Sequence, residues 1–204
     1  MTIAKKLQSY IDGQGIAYDT VAHHRTATSS QAAQAARIPG GKLAKSVVVH
    51  HETGYVLAVV PSTHRIELSR LQDMMEKRLG LASEDEISSL FFDCDIGAVP
   101  PVGSAYDVPV ILDKSLGEAE EVYFEGGDHR TLVHVSGADF LDLMKDARVA
   151  SFSHPAQATP RFFETQGCSR PLSGAGQADG YQPFPATTTR RLTSPRRKAC
   201  RKRS

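Results

Sequence analysis

The sequence is poor in cysteine and has no tryptophan. Its three cysteines, Cys94, Cys168 and Cys200, are far apart along 204 residues. An odd number at such spacing predicts neither a disulfide framework nor a Cys-x-x-Cys metal site. Free thiols fit a reducing compartment, so we expect a cytoplasmic location. The eight histidines form no His-Glu-x-x-His motif, and we predict no metal and no cofactor.

Long apolar segments are also missing. No run approaches the roughly 18 residues that a membrane helix needs. The first six residues, Met-Thr-Ile-Ala-Lys-Lys, lead into an amphipathic segment and not into an apolar signal region. We therefore expect no membrane among the partners of this chain.

The common catalytic motifs are absent as well. The sequence has no Gly-x-Ser-x-Gly elbow, no P-loop and no dinucleotide-binding fingerprint. An enzyme of this sequence would have no recognisable protein nucleophile. Its chemistry would have to depend on positioning and electrostatics.

The charge of the chain is unevenly distributed. From Ala156 onward lie 10 of the 24 Lys and Arg but only 2 of the 23 Asp and Glu, so the first 155 residues carry about −7 and the rest about +8. This last part has no Ile, Val or Met and is rich in Pro, Gly, Ser, Thr and Arg. We predict a folded domain at 1–155 and a basic, disordered tail at 156–204.

Periodicity in the first part predicts alternating helices and strands. The helices are expected at 3–12, 32–36, 67–79 and 84–90, with a last one containing Phe140, Leu141, Leu143 and Met144 and capped by Ser136 or Asp139. The strands are expected at 17–21, 45–50, 55–60, 108–112, 121–125 and 131–135. Thr2 is a candidate N-cap of the first helix, with Gly13 and Gly15 as stops. A capping box of Thr28 and Gln31 opens the second helix, and residues 39–41, Pro-Gly-Gly, end it.

Two of these strands form the expected centre of the sheet. The runs at 45–50 and 55–60 are separated by a short turn that ends in Gly54, which predicts a hairpin. Both runs are almost continuously apolar, as in a sheet covered on both faces. Since helices and strands do not alternate as in a doubly wound fold, we predict an α+β domain with a mixed sheet flanked by helices.

A glycine-framed loop stands out at 97–103, Gly-Ala-Val-Pro-Pro-Val-Gly. Proline fixes φ, and glycine permits positive φ and close approach of another group, so this segment is a shaped loop and not a strand or helix. One interpretation is the wall of a pocket, where backbone N–H groups point at a bound oxygen. The other is a sharp connection to the following strand.

Two side chains outside this loop could also bind a ligand. Lys45 begins a strand of valines, and it is either a solvated strand end or a cation aimed into a pocket. His129 follows a glycine-rich turn, Gly-Gly-Asp at 126–128, and it either contacts a ligand or is an exposed turn residue.

Four of these stretches, taken in order, resemble the YbaK/prolyl-tRNA synthetase-associated domain family. They are His24 with Thr28 and Ser29 before an alanine-rich helix, the run Ala-Lys-Ser-Val-Val-Val at 44–49, the loop at 97–103, and Gly-Gly-Asp-His at 126–129. The resemblance covers residues 1–155, and its order makes it more specific than any one motif.

The resemblance implies a mixed sheet flanked by helices and hydrolysis of the ester that joins a wrong amino acid to tRNA. A neighbouring ribose hydroxyl of the tRNA would assist the attacking water. Lys45 would contact the terminal adenosine and its phosphate, and the loop from Gly97 to Gly103 would orient the ester carbonyl and water. His129 would help to form the amino-acid pocket. The other substrate-binding residues implied are His24, Thr28, Ser46, Ala98, Val99, Pro100 and Gly127.

The partner implied is the aminoacylated acceptor end of tRNA, with an aminoacyl-tRNA synthetase as a further candidate. Ser46 stands where several relatives carry threonine or asparagine, which leaves the accepted amino acid open among Ala, Ser, Thr and Pro. The acidic body is unusual for a tRNA ligand, so Arg25, Arg37, Lys42 and Lys45 would have to gather on one face. A noncatalytic tRNA- or aminoacyl-binding module is the alternative function. A generic basic-tailed nucleic-acid binder would leave Lys45, the loop at 97–103 and His129 unexplained.

The tail allows a first test. It is either a salt-sensitive tRNA-holding arm or an extension without a selected function, and we take the second as the prediction. Removing residues 156–204 should then leave tRNA affinity and its dependence on salt unchanged in equilibrium binding titrations. Weaker binding with a shallower salt slope would instead support the arm.

Overall fold

A computed structural model describes residues 3–156. The predicted tail therefore lies outside the described residues, apart from Ala156, and so does the candidate N-cap Thr2. The helices are α1 (Lys5–Gln14), α2 (Ser29–Ala36), α3 (Leu68–Met75), α4 (Glu84–Leu90) and α5 (Gly137–Leu143). The strands are β1 (Asp19–Ala22), β2 (Leu43–His51), β3 (Gly54–Pro61), β4 (His64–Ile66), β5 (Gly80–Leu81), β6 (Val110–Asp113), β7 (Glu121–Glu125), β8 (Thr131–Ser136), β9 (Arg148–Ala150) and β10 (Ser153–Pro155).

The main sheet is mixed. Its strand order is β1-β8-β7-β2-β3-β6-β9, with β5 pairing separately with β2, while β10 and β4 form a small second sheet. The pairs β2–β7, β3–β6 and β6–β9 are parallel and the others antiparallel. With five helices against this sheet, the predicted α+β architecture is confirmed.

The β2–β3 hairpin lies at the centre of the sheet, and both of its faces are covered. On one face Val48, Leu57 and Val59 join the loop-side core, a cluster that also contains Leu7, Phe91, Val99, Val102, Phe124 and Phe140. On the other face Val49, Val56 and Val60 pack with Leu71 and Phe152. Along β2 on that same face, Leu43 packs under α2 with Ala32, Ala33 and Leu132. The near-continuous apolar character of the two strands is thus explained by burial on both sides.

On the side of β2 that faces away from β3, which we call its outer edge, only the two ends of the strand are paired. The parallel ladder with β7 stops at Ala44 opposite Phe124, and the ladder with β5 begins at Val49 opposite Leu81. Between them, within residues 3–156, no strand lies beside Lys45, Ser46 and Val47 on this edge. We call residues 45–47 the open segment of β2.

Several helix ends match the sequence pattern. Thr28 caps α2 by accepting a hydrogen bond from the N–H of Gln31, at 3.3 Å. The Gln31 side chain accepts in turn from the N–H of Ala27, one residue earlier than in a standard capping box. The helix ends at Ala36 because Arg37 adopts a left-handed conformation (φ 59°), so residues 39–41 lie beyond its end.

Other boundaries differ from the expectation. The helix α3 ends at Met75, not at residue 79, because Glu76 turns left-handed, although Leu79 still packs in the same core as Leu71. Gly13 lies inside α1, and Gly15 (φ 68°) ends that helix. The N-cap of α5 is Ser136, which accepts from the N–H of Asp139. The short strands β4, β5, β9 and β10 carry too few residues to show a period, and the sequence did not predict them.

Packing at Gly103 generates a prediction about stability. A Cβ at this residue would lie 2.4 Å from the carbonyl oxygen of Val108 and 2.6 Å from Cγ2 of Val110. Gly103→Ala should lower the free energy of unfolding by about 1–3 kcal/mol, since a buried backbone has to shift. Chemical denaturation measures this difference.

The matched control is Gly13→Ala, because a Cβ at Gly13 meets no atom within 4 Å and the residue lies in a helix. That change should raise stability by about 0.5–1 kcal/mol. Equal stability of the two variants would contradict the close packing of Gly103.

Candidate active site

The first part of the glycine-framed loop meets the turn between β7 and β8. Gly97 is exposed with φ 89°, and a Cβ there would lie 3.3 Å from Cε1 of His129. His129 itself is left-handed (φ 55°) and buried, and its Nε2 donates to the carbonyl of Ile96 at 2.7 Å. In the neutral ring this leaves Nδ1 as an acceptor. The structure thus places the predicted residues Gly97 and His129 next to each other.

The turn that carries His129 is held by its own hydrogen bonds. The Asp128 carboxylate accepts from the N–H groups of Arg130 and Thr131 and from the Thr131 hydroxyl. Gly127 has φ 112°, and its carbonyl accepts from the N–H of Asp95 at 2.7 Å. These contacts fix the turn against the segment that precedes Gly97.

The second part of the loop is buried, from Ala98 to Gly103. Ala98 has no exposed surface, Pro100 is buried, and Val99 packs in the loop-side core. Close packing accounts for the glycine at position 103, so this residue needs no ligand to explain it. The loop is therefore anchored in the core at one end and exposed at Gly97.

A cavity of about 650 Å³ lies between the segment after β1 and the helix α2. Its lining residues are His24, Arg25, Thr26, Ala27, Gln31, Gln34 and Ala35. Thr26 donates its N–H to the carbonyl of His129 at 3.4 Å, and Arg25 forms an exposed ion pair with Asp95 at 3.1 Å. Two of the cavity's lining residues are therefore bonded to neighbouring segments, Thr26 to the turn of His129 and Arg25 to a residue just before Gly97. Thr28 lies beside the cavity as the cap of α2.

Lys45 lies in the open segment of β2 and is half-buried. Its ammonium donates to the backbone carbonyl of His64 at 2.5 Å. Burial lowers the pKa of Lys45, and the nearby charge of Arg65 lowers it further. Within residues 3–156 no carboxylate forms an ion pair with this ammonium.

Lys45 and Ser46 lie on opposite faces of the sheet, because successive strand residues alternate. Ala44 and Val48 pack in the loop-side core with Val99, so Ser46 lies on that face. Its Oγ is buried with no hydrogen-bond partner in the described part of the chain. Lys45 shares the other face with Val47 and reaches β4. A hydrogen bond therefore ties Lys45 to β4, whereas His129 is bonded to the residue before Gly97.

A family model described as the aminoacyl-tRNA editing domain matches residues 23–143. This range is more than half of the chain and contains every predicted site residue. The chain belongs to the aminoacyl-tRNA editing domain family. The family resemblance of the four motifs is thereby confirmed.

Solved structures agree with this assignment of the editing domain. One, described as a candidate trans-editing enzyme for prolyl-tRNA synthetase, is 30% identical with a TM-score of 0.66, covering 74% of this chain and 96% of its own. A scaffold protein used for computational epitope grafting is 29% identical with a TM-score of 0.66 (74% and 97% covered). A hypothetical protein with 23% identity and a TM-score of 0.66 (74% and 100% covered) shares the fold. A search of curated proteins found no match.

Within the described residues of the editing domain, no helix is long and apolar enough to cross a membrane. In the same part of the chain, no group of three or more His, Cys, Asp and Glu side chains is placed to hold a metal ion.

The sequence did not single out Glu125, the last residue of β7. Its side chain is 3% exposed, and its Oε2 has no hydrogen-bond partner among residues 3–156. Burial, aided by the charge of Asp128, raises the pKa of Glu125 to about 7. The only sequence signal is its position directly before the glycines of the turn, and a glutamate at a strand end is usually solvated.

Burial of Glu125 predicts a pH-dependent stability. Its carboxyl binds a proton more tightly in the folded chain (pKa about 7) than when exposed (4.5), so its stabilising contribution at low pH is lost as the pH rises through about 7. Glu125→Gln removes this titration. The free energy of unfolding of Glu125→Gln, taken relative to that of wild type at the same pH, should therefore rise by on the order of 3 kcal/mol between about pH 5 and about pH 8.

Denaturation curves at the two pH values measure the effect. Glu118→Gln is the matched control, because Glu118 is exposed on the same domain and its replacement should give no such gain. A constant difference between Glu125→Gln and wild type would show that Glu125 ionises as an exposed carboxyl does.

Proposed function

We propose that this editing domain is a trans-acting aminoacyl-tRNA deacylase. It hydrolyses the ester of tRNA mischarged with a small amino acid such as Ala, Ser, Thr or Pro. The observation that carries the proposal is the hydrogen bond of His129 to Ile96, which places Gly97 next to His129 and near the cavity that His24 lines. The family and the candidate trans-editing enzyme among its structural neighbours support it.

The backbone at Gly97 is suited to orienting a ligand oxygen. Within residues 3–156 its N–H has no hydrogen-bond acceptor, whereas the next N–H, of Ala98, donates to the carbonyl of Asp95 at 3.0 Å. Gly97 is also exposed, and its positive φ is costly for any other residue. We infer that this N–H binds the ester carbonyl or the attacking water, as in an oxyanion-type site.

A protein nucleophile is not part of the proposed mechanism. Cys94, the free thiol within residues 3–156, lies near Gly127, and burial raises its pKa to about 12. It is therefore protonated and a poor nucleophile near neutral pH. Water is the attacking group in our proposal, and the neighbouring ribose hydroxyl of the tRNA assists it. Positioning of the two supplies the rate enhancement.

Lys45 is proposed to bind the terminal adenosine and its phosphate. Its ammonium has three donors and uses one on the carbonyl of His64, so two are available to an anion. Partial burial strengthens such a contact because water competes less. The ligand would approach through the open segment of β2, where no strand covers Lys45 on the outer edge.

Other basic residues contribute differently to the proposed tRNA surface. Arg25 precedes α2 and Arg37 ends it, and both are exposed. Lys42 is paired with Glu121 at 2.7 Å, and this hydrogen bond raises the pKa of Lys42. We expect Arg37 to contact phosphates, and we expect Arg25 and Lys42 to contribute less, because they are already paired with Asp95 and Glu121 respectively. The proposal places this activity in the cytoplasm, with an aminoacyl-tRNA synthetase as a further partner.

A noncatalytic binding module is the second candidate, favoured by the burial of His129 and of residues 98–103. Such a module would bind aminoacylated tRNA and leave its ester intact. The two candidates differ in whether the ester is hydrolysed, which an assay with charged tRNA decides.

The deciding prediction concerns Lys45→Ala. Wild type should hydrolyse one or a few of Ala-, Ser-, Thr- and Pro-charged tRNA, and Lys45→Ala should lower kcat/KM by about 10- to 100-fold, since a hydrogen bond to a charged group contributes about 1.5–3 kcal/mol. The measurement is release of the labelled amino acid.

Lys114→Ala is the matched control, because Lys114 is an exposed lysine on the same domain. It should retain wild-type activity. A folded wild type that binds tRNA but hydrolyses none of the four esters would favour the binding module. Full activity of Lys45→Ala would remove Lys45 from the site.

A further inference from the structure

Lys45 and Glu125 are neighbours by strand register. The parallel ladder of β2 and β7 pairs Leu43 with Tyr123 and Ala44 with Phe124, and then stops. Lys45 and Glu125 are the next residue on each strand. Adjacent strands are about 4.8 Å apart, so the two residues flank the point where β2 and β7 separate.

The two side chains also share one face of the sheet. Leu43 and Tyr123 pack in the cluster under α2, whereas Ala44 and Phe124 belong to the loop-side core. Because successive side chains of a strand point to opposite faces, Lys45 and Glu125 lie on the same face as Leu43 and Tyr123, which is the face covered by α2. The antiparallel partner of Glu125, Leu132, packs in the same cluster and supports this orientation.

The ammonium of Lys45 and the carboxyl of Glu125 are not paired with each other. Lys45 donates to the carbonyl of His64, and Oε2 of Glu125 is buried without a partner within residues 3–156. A buried carboxyl oxygen without a hydrogen bond costs free energy, which a ligand donor would recover. Burial shifts the pKa of both groups toward the neutral form, so neither is held charged by the other.

The structure therefore offers an acceptor on one strand and a donor on the next, at the point where the ladder of β2 and β7 ends. A matching ligand carries an oxygen acceptor and a cationic donor a few bonds apart. An aminoacyl ester has this form, since its α-ammonium group lies next to the ester carbonyl. Uncharged tRNA has no such cation.

We propose that Glu125 binds the α-ammonium group of the aminoacyl ester while Lys45 binds an oxygen of the ester or the terminal nucleotide. This inference rests on the proposed deacylase function and assigns it a determinant of substrate recognition. Binding of the ammonium would favour the carboxylate form of Glu125 and recover the cost of its burial. The side chain of the amino acid would then be recognised elsewhere, so Glu125 serves every small amino acid alike.

The test compares alanyl-tRNA with N-acetylalanyl-tRNA near pH 7. Acetylation removes the positive charge and keeps the ester. Wild type should prefer the free amine by about 10- to 100-fold in kcat/KM, and Glu125→Gln should reduce this preference to within about threefold by slowing only the free-amine substrate. Glu118→Gln should keep the wild-type preference. A structural role alone would slow both substrates equally, and that outcome, like an unchanged preference in Glu125→Gln, would overturn the proposal.

A binding measurement separates this proposal from the deacylase function. The probe is the non-hydrolysable amide analogue in which alanine is joined to 3′-amino-3′-deoxyadenosine, used with a free and with an acetylated α-amine. Tighter binding of the free amine by wild type, lost in Glu125→Gln, supports the role of Glu125 even if wild type hydrolyses no ester. Equal affinity of wild type for the two analogues overturns it. Denaturation curves confirm that Glu125→Gln is folded, as expected for removal of a buried acid.

Discussion

The pairing of β2 is the constraint on which the site depends. One edge of this strand is bonded to β3 along its length, while the other is bonded to β7 and β5 only at its ends. The hairpin can tolerate this open segment because apolar cores cover both of its faces. Lys45 and Ser46 consequently lie in the open segment of β2, each on a different face of the sheet. A site built on a central strand is held more precisely than one built on loops alone.

Near the open segment of β2 the chain buries polar groups that lack hydrogen-bond partners. Ser46 Oγ and Glu125 Oε2 are buried without partners in the described part of the chain, and Lys45 is half-buried with a single carbonyl partner. Each lowers stability, because desolvation is not fully compensated by hydrogen bonds. Buried side-chain atoms of His23, Thr26 and Ser153 also lack partners among residues 3–156. Beside β2, a ligand of the proposed site would supply the missing partners of Ser46 and Glu125. We interpret them as the part of the fold in which stability is given up for recognition.

Hydrogen bonds hold the glycine-rich turn at 126–129 against the residues that lead into the loop at 97–103. The carbonyl of Gly127 accepts from Asp95, and His129 donates to Ile96, so the turn after β7 fixes the residues just before Gly97. Burial of the following prolines fixes the other end of the loop. Gly97 is therefore exposed on a backbone whose neighbours on both sides are held. An N–H placed in this way needs no reorganisation when a ligand oxygen arrives.

Local signals in the sequence determined the helix caps, the central hairpin, the fold class and the family. Thr28 and Ser136 cap helices through contacts within four residues, and the valines of β2 need only burial on both faces. Long-range contacts decided the rest. The short strands β9 and β10 depend on partners distant in sequence, β6 and β4 respectively. Glu125 could not be recognised from the sequence either, because its burial and its raised pKa arise only in the folded sheet, where its cross-strand partner is the buried Leu132.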